Sequence, residues 1–88
     1  MQIVWDNDKN RKLIAERGLS LEAFASLILE KKYLAILKNS SRKEQKIFII
    51  PFQDYTYVVP FIIDSKQNIV LKTVFPSRKY HKIYGEKK

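Results

Sequence analysis

A chain of 88 residues with no cysteine and one histidine has no means of forming a disulfide or a thiolate metal centre. Seventeen Lys and Arg against nine Asp and Glu give a net charge of +8, a balance suited to a polyanionic partner. The apolar share of 45% suffices for one compact core, and no apolar run approaches the ~20 residues of a membrane helix.

Residues 1–88 therefore read as a single domain. Ile3-Val4-Trp5 has strand character, and Asp6-Asn7-Asp8 supplies caps and favourable negative charge for a helix beginning near Lys9. That helix has few apolar residues (Leu13, Ile14, Ala15), so only one edge can face a core, and Gly18 ends it. Its Lys9 and Lys12, one turn apart, can extend a phosphate-binding surface. Ser20 opens a second helix, in which Leu21, Phe24, Ala25, Ile28 and Leu29 form an apolar stripe that fades at Lys31-Lys32.

Tyr33–Lys38 reads as a strand and Asn39–Glu44 as a charged loop. Lys46–Phe52 and Tyr55–Ile63 are strands rich in β-branched and aromatic residues, joined at Gln53-Asp54 by a tight hairpin. Along the second of these, Tyr55, Tyr57, Val59 and Phe61 alternate with Thr56, Val58 and Pro60. Pro60 has no N–H for a ladder, so it marks an edge, a strand end or a bulge. After the polar turn Asp64–Asn68, Ile69–Phe75 reads as the last strand, followed by a short helix entered at Pro76-Ser77. The order β-α-α-β-β-β-β-α predicts an α+β fold with an antiparallel sheet.

The ending, Leu71–Lys88, concentrates chemistry. If Arg78–Tyr84 is helical, Arg78, His81 and Lys82 share one face, and Tyr80 and Tyr84 a neighbouring one. Arg78 can hold two phosphate oxygens with its planar fork, and His81 is the side chain whose ordinary pKa lies nearest neutrality. Tyr80 can donate a proton, and Lys72 can clamp a phosphate or act as a base. Lys79, Lys82 and Tyr84 complete the expected polyanion-binding set with Lys9 and Lys12, and no metal or other cofactor is expected. For Lys82 solvation or non-specific attraction is favoured over catalysis, and for Tyr84 packing onto the sheet is favoured over a catalytic role.

Three stretches together carry a family resemblance: the opening I-V-W-D…K…L…R-G-L-S-L-E, the strands I-F-I-I…Y-T-Y-V-V-P-F, and the ending L-K-T…P-S-R-K…Y. The chain resembles the BrnT-type toxins, small ribonuclease toxins of bacterial type II toxin–antitoxin modules with a RelE-like fold. The resemblance spans Ile3 to Tyr84. It implies a cytoplasmic toxin that cuts RNA without metal, on or off the ribosome, and is neutralised by a cognate antitoxin, usually of ribbon-helix-helix type. It places Arg78 at the arginine that begins the terminal helix. Met1–Asp6 has no basic segment leading into an apolar one, in keeping with a cytoplasmic location. Two other readings remain open on the residues alone: a nucleic-acid-binding module without catalysis, and a toxin of similar fold that acts by binding a protein.

Overall fold

The structure is a computed structural model and describes residues 2–85. Strand β1 (Ile3–Trp5) leads into helix α1 (Asn7–Arg17) and helix α2 (Leu21–Leu29). Strands β2 (Ala35–Lys38), β3 (Lys46–Phe52), β4 (Tyr55–Ile63), β5 (Ile69–Leu71) and β6 (Phe75–Pro76) follow. A single helical turn, α3 (Arg78–Tyr80), continues into a π-helical turn over His81–Gly85.

Local chemistry accounts for the helix ends. The Asp6 carboxylate accepts from the backbone N–H groups of Asp8 and Lys9, so α1 starts at Asn7, slightly earlier than predicted. Gly18 closes α1 at φ 66°, a conformation that would strain a residue with a Cβ. The Ser20 hydroxyl caps α2 by accepting from the Ala23 N–H. Asn10 ties the two helices together through its side-chain oxygen, which accepts from the Leu21 N–H at 2.7 Å.

The sheet order is β1-β5-β4-β3-β2, with β6 paired beside β5 on the same flank of β4. Strands β2 to β5 run antiparallel, and β1 adds a parallel strand against β5. Gln53 and Asp54, both at positive φ (50° and 64°), make the β3–β4 hairpin turn. Both strands of the hairpin have the predicted bounds.

The predicted last strand differs: Ile69–Phe75 is two short strands separated by an arch over residues 72–74. Pro60 supplies the reason. The Lys72 N–H donates to the Pro60 carbonyl at 2.9 Å, so the backbone edge of Pro60 faces this flank. N–H and C=O of one strand residue point to the same side, and Pro60 has only the carbonyl to offer. The ladder lapses opposite it and resumes at Tyr57↔Pro76 and Val58↔Phe75. Val74, fully buried, anchors the arch in the core, which leaves Lys72 and Thr73 half-exposed at the surface.

The sheet is covered on both faces. Leu21, Phe24, Ala25 and Ile28 of α2 pack on Phe48, Ile50, Val59 and Phe61. On the opposite face, Tyr80 and Tyr84 pack against Ile47, Ile49 and Val58. Helix α1 has no buried residue and meets the core mainly through half-buried Leu13. Among the described residues no helix is long and apolar enough to cross a membrane.

The β4–β5 turn is held by Asp64, whose carboxylate accepts from the backbone N–H groups of Asn68 and Lys66 at 2.9 Å each. The Asn68 N–H, aided by that of Lys66, holds this carboxyl below the usual aspartate range. A lowered folded-state pKa means stability that is present above the unfolded value, about 4, and lost as pH falls through the folded one. Amide exchange at Lys66 and Asn68 should therefore show this turn loosening below about pH 4, and Asp64→Asn should remove that dependence.

Candidate nucleic-acid interface

The Pro60 break, the exposed face of α1 and the β2–β3 loop together enclose an open groove of about 860 Å³. Lys9, Lys12, Arg17, Arg42 and Lys72 line it, with Glu16 as the sole acid. Three elements place the five cations. Lys9, Lys12 and Glu16 follow one another at helical spacing along α1, with Arg17 in its last turn, where the helix dipole favours a cation. Arg42 is presented by a loop that Asn39 and Gln45 close. The Asn39 side-chain amide donates to the Gln45 side chain at 3.0 Å, and the Gln45 N–H donates to the Arg42 carbonyl at 3.1 Å. Lys72 stands on the arch.

Among the described residues the ion pairs are Arg11–Asp8 and Lys32–Glu30, so none of the groove cations is paired. Unpaired cations gathered at one concave surface create a field that attracts a polyanion. One apolar aromatic joins them. Phe75, 37% exposed, lines the groove and stacks on no other aromatic ring among the described residues.

The structure brings Lys9, Lys12 and Lys72 together and separates them from His81. The imidazole stacks on Tyr55, with ring centroids 4.2 Å apart, and its Nδ1 is 3.0 Å from the hydroxyl of buried Thr56. It faces a second hollow of about 580 Å³, lined by the hairpin Pro51–Thr56 and Gly85, where Asp54 is the charged residue. A Cβ on Gly85 would overlap the His81 ring and lie 2.8 Å from the Thr56 hydroxyl, so this close approach requires glycine. Neither Arg78 nor Lys82 lines that hollow. The α-helix ends after one turn and continues as a π-turn, and the Thr56 hydroxyl and the Tyr55 ring hold the His81 side chain against the hairpin.

Tyr80 and Tyr84 do meet as their spacing predicted, with centroids 6.4 Å apart, but both pack against the sheet. Lys79 lies over the Tyr80 ring at 5.1 Å, and Arg78, Lys79 and Lys82 are exposed. Sequence reasoning missed Arg42 and Phe75 as lining residues. Pro60 was the available signal, because a proline within a central strand demands a break in its neighbour, and that break frees the residues beside it.

A small mixed α/β sheet clasped by helices, with a basic groove at the end of one flank, defines a compact basic α+β protein. The crystal structure of the ribonuclease toxin BrnT of Brucella abortus shares this fold with a TM-score of 0.64. The match covers 88% of this chain and 96% of the toxin at 18% sequence identity. No family model matches the sequence, and neither does any curated protein.

Proposed function

We propose that this protein is the toxin of a toxin–antitoxin module, a metal-independent endoribonuclease that binds RNA in the groove of Lys9, Lys12, Arg17, Arg42 and Lys72. The observation that carries the reading is that convergence of unpaired cations on a fold shared with a ribonuclease toxin. In metal-free cleavage the 2′-oxygen attacks the adjacent phosphorus and the bond to the 5′-oxygen breaks. One proton leaves the 2′-hydroxyl and one reaches the 5′-oxygen, so the products are a 2′,3′-cyclic phosphate and a 5′-hydroxyl. The charge on the phosphorane must be met by fixed donors. Lys72, half-buried on the arch, is the donor within the groove, and Arg78, exposed at the start of α3 and outside the groove lining, is proposed as a second donor on the family resemblance. The carboxylates are scattered, and among the described residues no three His, Cys, Asp or Glu gather into a metal site.

The reading includes a cognate antitoxin, of the ribbon-helix-helix type that the family resemblance implies. Acidic residues on that partner would complement the groove. Incubating the purified chain with defined RNA in EDTA tests the enzymatic core of this reading. Fragments ending in cyclic phosphate are expected, and Lys72→Gln should suppress them. A folded chain that leaves RNA intact, free and on ribosomes, while still arresting growth would instead favour a toxin that binds a protein.

A further inference from the structure

Phe75 is an anomaly in the groove. It belongs to a two-residue strand whose backbone is fixed against Val58, so the position of the ring is set by the sheet. Its neighbour Val74 is fully buried, whereas Phe75 is in neither hydrophobic cluster and keeps 37% of its surface exposed. Folding thus leaves a large apolar ring beside Lys72 and within a lining of cations. Cations alone bind any phosphate backbone, single or double. An aromatic ring adds something only for a base whose face is free, and in a duplex those faces are already stacked on one another.

We infer that the groove holds a single RNA strand, with one base stacked on Phe75 and flanking phosphates on Lys72, Arg42 and the α1 lysines. This rests on the ribonuclease reading only for the choice of RNA as ligand. The geometry requires the strand to run between α1 and the β2–β3 loop, across the arch. Phe75 then sets which nucleotide lies beside Lys72, so it would position the scissile phosphate as well as bind.

The test is fluorescence anisotropy in EDTA with a short 2′-O-methyl oligonucleotide, which has no free 2′-hydroxyl and resists cleavage, and with its blunt duplex. The single strand should bind about tenfold or more tighter than the duplex. Phe75→Leu should weaken single-strand binding about fivefold or more without changing the slope of log affinity against log salt, and Phe75→Tyr should retain it. Lys72→Gln should instead lower that slope by about 0.7, the value for one lost contact to a single strand. Equal binding of single strand and duplex, or a Phe75→Leu variant that binds as the parent does, would overturn the inference. The two proposals fail separately. Stacking-dependent binding with no cleavage of ordinary RNA refutes the enzyme and keeps the groove assignment, and cleavage by a chain indifferent to Phe75→Leu does the reverse.

Discussion

A chain carrying Phe24→Ala should lose about 3–5 kcal/mol of folding stability. For a domain of this size the corresponding fall in Tm is at least ~12 °C. The ring is fully buried, with centroids 4.8 Å from Phe52 and 5.5 Å from Tyr57, so its removal forfeits contacts on two strands and leaves a cavity between helix and sheet. Total stability at this length is on the order of 4–13 kcal/mol, so about a quarter or more of it is at stake. The consequence reaches the groove. Helix α1 has no fully buried residue and is tied to α2 by the Asn10–Leu21 hydrogen bond. Loosening α2 should loosen the wall that carries Lys9, Lys12 and Arg17, and RNA binding should weaken with it. Leu29→Ala on the same helix is the control, since a side chain 72% exposed should contribute within about 0.5 kcal/mol. Urea unfolding of the two variants decides the matter. A loss below about 1 kcal/mol for Phe24→Ala would mean that this ring does not seat α2.

The sequence was most legible where one local force dominates. Asp6, Gly18 and Ser20 placed the first two helices because caps act within a few residues. The β3–β4 hairpin was readable because β-branched runs flank a turn whose residues tolerate positive φ. What could not be read depends on tertiary neighbours. Pro60 was recognisable as a ladder defect, but its effect falls on residues 72–74, a strand away. The parallel partner of β1 likewise lies far along the chain, at Ile69–Leu71. At the candidate site, helical periodicity grouped Arg78 with His81 but gave no sign of Thr56 and Tyr55, which hold the imidazole against the hairpin. Periodicity treats a seven-residue segment as uniform. A hydrogen bond with a buried hydroxyl and a stacked ring are tertiary partners that periodicity does not register.

Arg78→Ala should reduce RNA cleavage about 10²–10³-fold, the usual effect of removing one donor to a developing oxyanion. It should change stability by no more than about 0.5 kcal/mol, because the side chain is exposed and forms no ion pair among the described residues. His81→Ala should behave in the opposite way. It removes the Tyr55 stack and leaves the Thr56 hydroxyl, 1% exposed, without its partner. A loss of about 1–2 kcal/mol is expected. Cleavage measured well below the melting transition should fall little, because the imidazole faces the hairpin hollow, apart from the groove that holds Lys72. Single-turnover cleavage in EDTA and thermal melts on both variants separate the two roles. If His81→Ala abolishes cleavage while melting normally, the reaction takes place in the hollow beside Tyr55 and Asp54, and the groove serves only to bind. If Arg78→Ala cleaves at the parental rate, Lys72 and the arch must meet the phosphorane charge without help from α3.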